Sequence, residues 1–161
     1  MDRRMIPARR ASAVGAMLVA AVLTVVGCGG GTPVGNARVG DVRVTNATAR
    51  ATADDVSVLY LTIGNAGKET DALLSVSTDA AKSAQLMAMV MEGMSMKMQD
   101  VARVEVPAGG EVVLKPGGYH VMLMGVARPL KAGQRIGVTL KFERAGTVRL
   151  QVPVTSYSGG Q

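Results

Sequence analysis

Of the eleven methionines in this 161-residue chain, eight fall between Met87 and Met124, in two clusters. The first reads MAMVMEGMSMKM and carries sulfur at Met87, Met89, Met91, Met94, Met96 and Met98. The second, GYHVMLMG, sets Met122 and Met124 just after His120, the single histidine of the sequence. A thioether is a soft, neutral donor, and soft donors select Cu(I) over zinc, magnesium or calcium. Residues two apart in a strand share a face, so His120 and Met122 would present an imidazole and a thioether side by side. The chemistry within reach of these residue types is the binding of monovalent copper.

Methionine also fills irregular gaps in hydrophobic cores, and the alternation of Met87, Met89 and Met91 equally suits one buried strand face. Three features favour ligands. The other apolar runs of the chain are built from Val, Leu and Ile. Met94 to Met98 lies beside Gly93 and next to the charged Glu92 and Lys97, a poor composition for a core. The lone histidine shares a strand face with Met122 and Met124. Other chemistries lack their parts. Blue-copper electron transfer uses two histidines and a cysteine thiolate, and a hydrolytic triad needs a base positioned beside a nucleophile and an orienting carboxylate. No enzyme activity is expected.

The elements that must position these donors read as strands. Val42 and Val44 alternate with polar residues, Val56–Ile63 is β-branched and aliphatic, and Ala72–Ser77 is a shorter run. Val112–Leu114, Tyr119–Met124, Ile136–Phe142 and Val148–Val154 continue the series. Gly109-Gly110, Gly117-Gly118, Ala132-Gly133 and Ala145-Gly146 punctuate it with turns, in the rhythm of a sandwich or barrel. Helical periodicity is absent apart from one expected turn near Asp79–Lys82. The pattern predicts an all-β, antiparallel β-sandwich.

Residues 1–27 read as an export signal, to be set aside before fold reasoning. Arg3, Arg4, Arg9 and Arg10 precede an apolar run from Ala11 to Val26, short for a membrane span of about 20 residues. The run ends in Val25-Val26-Gly27-Cys28, which resembles a bacterial lipobox, with Cys28 as the lipidated first mature residue. Arg9-Arg10 is a weak match to a twin-arginine signal, because Ala11-Ser12-Ala13 follows it. Cys28 is the only cysteine, so the mature domain would have neither thiol nor disulfide, and thioethers suit an oxidising exterior. The expected organisation is a lipoprotein signal over 1–27, a glycine-rich flexible tether over 28–40, a β-sandwich domain over 41–157 and a loose tail over 158–161. The expected location is extracytoplasmic, lipid-anchored to the bacterial cell membrane. About half of the formal charge of +6 resides in the signal. The remaining excess is scattered, and tryptophan is absent. Such a surface offers no stacking platform, and no nucleic-acid partner is expected.

Ten residues separate Met87 from Met98, and 21 separate Met98 from His120, which Val121 and Met122 follow. This spacing resembles H-x10-M-x21-H-x-M, the signature of the PCuAC-type copper chaperones, with methionine where that family has its first histidine. VMEG, EVPAGGEVVLKPGGYHVMLMG and RPLKAG add to the likeness, which covers about residues 42–155. A tryptophan frequent near the start of the family's domain is replaced here by Asn46-Ala47-Thr48-Ala49-Arg50. The resemblance implies a cupredoxin-like Greek-key sandwich with a Cu(I) site formed by Met87, Met98, His120 and Met122. Met89, Met94, Met96 and Met124 stand as auxiliary donors, and the first three are alternatives to Met87. It also implies delivery of copper to the Cu(A) centre of cytochrome c oxidase, through an oxidase subunit or a Sco-type copper chaperone. Copper storage or detoxification would use the same ligands, and a surface lipoprotein that has lost copper binding is the reading that the missing histidine prompts.

Overall fold

The computed structural model describes residues 32–156. The expected signal over 1–27, Cys28 and the tail over 158–161 lie outside the described residues. Eleven strands follow one another among the described residues: β1 (Ala37–Val39), β2 (Val42–Arg50), β3 (Val56–Asn65), β4 (Asp71–Thr78), β5 (Ala81–Glu92), β6 (Ser95–Asp100), β7 (Val104–Val106), β8 (Glu111–Leu114), β9 (His120–Val126), β10 (Arg135–Phe142) and β11 (Thr147–Thr155). The strands run in the order β6-β5-β9-β3-β2-β11-β10-β4-β7, giving the all-β sandwich that the alternating runs predict, in the cupredoxin-like form that the family resemblance implies. β1 pairs with β2, and β8 pairs with β3. Pairing between strands is antiparallel except where β11 meets β2, at Val154–Ala49 and Thr155–Arg50.

The core lies where the inward faces of these strands meet. Leu59, Leu61 and Ile63 of β3 face Val138, Leu140 and Phe142 of β10 and Leu150, Val152 and Val154 of β11 in one cluster of buried side chains. Each such side chain contributes about 1.5–3 kcal/mol relative to exposure. At one end, the buried Asp71 joins β4 to the β10–β11 turn. Its Oδ1 accepts from the backbone N–H of Ala72 (2.7 Å) and Arg144 (2.9 Å), and its Oδ2 from that of Ala145 (2.9 Å). Burial pushes the Asp71 carboxyl up, but those three N–H donors and the Arg144 charge outweigh it and leave the group below its ordinary value.

Two expectations differ from the structure. The segment assigned to a tether is already folded from Val34: Gly35 N–H donates to Gln151 O (2.8 Å), Ala37 is buried, and β1 pairs with β2. Backbone groups in a glycine-rich stretch find sheet partners there despite a sequence with few apolar side chains. The turn near Asp79–Lys82 is not helical. It is a bend that leads straight into β5, with Asp79 Oδ1 accepting from Gly137 N–H (3.0 Å).

Candidate metal centre

The first methionine cluster is a hairpin. Glu92 pairs with Ser95, which leaves Gly93-Met94 as a two-residue loop. Gly93 sits at φ 65° and Met94 does not share that region, the arrangement of a type II′ turn with glycine in first place. Pairing away from this turn sets Met91 against Met96, Met89 against Met98, and Met87 against Asp100. Directly paired residues share a face, with Cβ atoms about 4.5–5.5 Å apart. On the other face of β5, Leu86 and Ala88 enter the core. Lys97 is opposite Val90 and binds Glu92 at 2.7 Å, so this ion pair occupies the reverse face. One face therefore carries five thioethers and Asp100.

β9 supplies the second cluster from its place beside β5. Val121 and Leu123 are buried in the core. His120 is paired with Met87, Met122 with Gln85, and Met124 with Ser83, all on the outer face. Both arms thus send their aliphatic residues inward and their sulfur and nitrogen donors outward. The alternation of Met87, Met89 and Met91 is the outer face of its strand, not the core face.

His120 is 6% exposed even though it lies on that outer face. The turn before it holds the ring. Lys115-Pro116-Gly117-Gly118 closes with Gly118 N–H donating to Lys115 O (3.1 Å), and Gly117 lies at φ 79°. Proline second and a positive-φ glycine third make this a type II turn. Its Gly118 carbonyl accepts from the His120 ring at Nδ1 (3.1 Å) and from Met89 N–H (3.3 Å). A carbonyl can only accept, so Nδ1 bears the proton of the neutral ring and Nε2 keeps its lone pair. This is how an outer partner fixes a ligand histidine. Among the described residues the ring makes no second hydrogen bond, and no sealed side-chain nitrogen or oxygen lacks a partner. Nε2 is therefore open to the outside.

The nominated residues are assembled unequally. Met87 and His120 are directly opposite, and Met122 is two residues further along the same face. Met98 is two strands from His120, about 9–10 Å across the sheet, and its immediate neighbour is Met89. Met122 and Met87 are half-buried, whereas Met98 is 48% exposed. Met124 is displaced along β9 beyond Met122, and Met91, Met94 and Met96 stand at the far end of the hairpin. No group of three His, Cys, Asp or Glu side chains converges among the described residues. The donors that converge are thioethers and one imidazole. Sequence reading missed Gly118, whose carbonyl orients the ring, and Asp100, the one carboxylate on the methionine face. Recognising Gly93-Met94 as a hairpin loop would have found Asp100.

The comparisons agree with this architecture. A family model described as "Putative lipoprotein LpqE-like" matches residues 42–154. The "Putative lipoprotein Lxx21020" of Leifsonia xyli subsp. xyli is 36% identical over 119 residues, covering 73% of this chain and 72% of that protein. Among solved structures, the apo PCuAC domain from PmoF1 superposes with a TM-score of 0.66 at 26% identity, covering 76% of this chain and 99% of that one. The solution structure of CuI-DR1885 from Deinococcus radiodurans has a TM-score of 0.59 at 31% identity, covering 73% and 82%.

Proposed function

The chain belongs to the LpqE-like lipoprotein family and is related to the PCuAC domains, and we propose that it is an extracytoplasmic Cu(I) carrier. The observation that supports this best is the pairing of Met87 with His120 on an outer sheet face that Met122 continues. The CuI-DR1885 structure, 31% identical to this chain, adds support from a relative whose bound ion is Cu(I).

Met87, His120 and Met122 form the inner part of the ligand set, and Met98 reaches in from β6. Cu(I) is soft and accepts three or four neutral nitrogen and sulfur donors without a demanding geometry. His120 contributes Nε2, held in the right tautomer by Gly118. Four neutral ligands leave a net charge of about +1, which Asp100 opposite Met87 partly offsets across the face. One imidazole and three thioethers hold Cu(I) better than Cu(II), and thioether bonds can be exchanged singly. Such a site retains its cargo and still gives it up, as a carrier must and a catalyst need not.

Cys28 carries the lipid anchor in this proposal, and residues 1–27 are the export signal. The domain then begins near Val34, and the tether is shorter than the glycine-rich sequence suggests. Copper passes to a membrane-associated acceptor, for which the Cu(A) centre of cytochrome c oxidase or a Sco-type chaperone is the candidate. The test is a Cu(I) competition titration of the full-length chain against a chromophoric chelator. One tightly held Cu(I) per chain is the expected result. A chain that never competes with the chelator is a lipoprotein without copper binding and overturns the proposal.

A further inference from the structure

The inner site leaves five of the eight clustered methionines unused, and three of these are the most exposed large apolar side chains of the hairpin. Met94 is 99% exposed, Met91 68% and Met96 49%. Burial of such side chains ordinarily contributes about 1.5–3 kcal/mol each, and here that contribution is forgone at three neighbouring positions. The type II′ loop holds them together. Met91 and Met96 are directly opposite on one face, and Met94 is in the loop that joins their strands. Methionine itself is common in protein interfaces, but no aromatic, leucine or isoleucine accompanies these three, so the cluster lacks the aromatic and arginine anchors that usually carry protein binding energy.

The cluster also lies on a line. Met91–Met96, Met89–Met98 and Met87–His120 are successive rungs of the same sheet face, each two residues or about 7 Å from the next. Exposure falls along it, from Met91 and Met96 through the half-buried Met89 to the buried His120. Met98 belongs to the middle rung and to the proposed inner set, so one sulfur is common to the rung and the inner site.

We propose that the free end of the β5–β6 hairpin is a second, weaker Cu(I) site made by Met91, Met94 and Met96, which loads and unloads the inner site through the Met89–Met98 rung. This inference rests on the copper-carrier reading. Three thioethers satisfy Cu(I), but the exposed set lacks an imidazole and a fixed outer partner like Gly118, so it binds more weakly. Each movement of the ion exchanges one thioether for another, without redox change and without release into water. Glu92 and Lys97 stay on the reverse face, and the carboxylate on the path's own face, Asp100, lies at its inner end opposite Met87.

The test uses the full-length chain with 13C-labelled methionine methyl groups, titrated with Cu(I), beside the triple variant Met91→Leu, Met94→Leu, Met96→Leu. Leucine keeps the apolar bulk at exposed positions and removes the sulfur. The first equivalent should move the methyl signals of Met87, Met98 and Met122, and the second those of Met91, Met94 and Met96. The triple variant should keep the first equivalent with unchanged affinity, lose the second, and give up Cu(I) to a small chelator at least tenfold more slowly. His120→Ala should weaken the first equivalent and spare the second. A single equivalent with silent signals at Met91, Met94 and Met96, or unaltered transfer from the triple variant, overturns this inference and leaves the carrier reading standing. Absence of any bound Cu(I) overturns both. Slowed transfer to a protein acceptor with normal transfer to the chelator makes the hairpin end a docking surface, and also overturns it.

Discussion

Asp71 and His120 are both buried polar side chains, 4% and 6% exposed, at different places in the sandwich. Asp71 spends both carboxylate oxygens on backbone N–H groups of its own domain, at Ala72, Arg144 and Ala145. His120 spends one nitrogen on the Gly118 carbonyl and keeps the other open, beside sulfur. Burial alone does not separate a structural polar group from a functional one. The difference is whether the fold uses the group's whole bonding capacity. A polar atom satisfied from within strengthens the fold. A lone pair held in a fixed direction and left unused is available to a ligand.

Exchanging the two residues' losses gives the sharpest contrast. His120→Ala should weaken Cu(I) binding by more than the roughly 10–100-fold that follows loss of an outer-shell partner. The apo chain should lose only about 1 kcal/mol of stability. Chelator competition and denaturant unfolding of the same preparation measure both. A variant that unfolds while its copper affinity is intact would make His120 a structural residue like Asp71.

Asp71→Asn is the mirror experiment. The amide keeps Oδ1 but turns an NH2 group toward Ala145 N–H, so stability should fall by about 1–3 kcal/mol with copper affinity unchanged. Acid provides an internal control. The folded carboxyl lies below its ordinary value, so its stabilisation is fully present above that ordinary value, about 4, and is lost as pH falls through the lower folded value. The stability gap between the wild type and Asp71→Asn should therefore close below about pH 4. A gap of constant size down to pH 2 would show that the charge on Asp71 is not what holds the β10–β11 turn.

The contrast also shows what a sequence exposes. β3, β10 and β11 are legible because half-buried strands alternate, and single glycines (Gly64, Gly67, Gly133, Gly146) fall at or near their ends. β1 hides in a glycine-rich stretch because its stability is backbone pairing to β2. β7 is only three residues long, too short to show a period. The shared face of His120 and Met122 is local, fixed by the two-residue period of a strand. That Met87 lies opposite His120 is a matter of register between strands distant in sequence, which no local pattern contains. The motif spacing carried it only through resemblance. Asp71 gave no signal at all, since two of its three backbone partners, Arg144 and Ala145, are more than 70 residues away.

Met87 is where the comparison is finest, because it touches both alternatives. It is half-buried, between Asp100 on β6 and His120 on β9, with its core-facing neighbours Leu86 and Ala88 on the other side of the strand. A core methionine cut to alanine costs about 2–5 kcal/mol. On the outer face, Met87→Ala should cost about 1 kcal/mol or less and weaken Cu(I) binding about tenfold, equivalent to about 1.4 kcal/mol. Met87→His perturbs the same spot in the opposite sense. Two imidazoles on directly paired positions would add borderline donors that Cu(II) accepts, so the variant should gain Cu(II) binding, with coupling to two ring nitrogens in its electron paramagnetic resonance spectrum. Unchanged Cu(I) affinity in the alanine variant, joined to no Cu(II) signal in the histidine variant, removes Met87 from the ligand set. Met89 would then be the donor to examine, because it faces the same way one rung outward and its backbone shares the Gly118 carbonyl with the His120 ring.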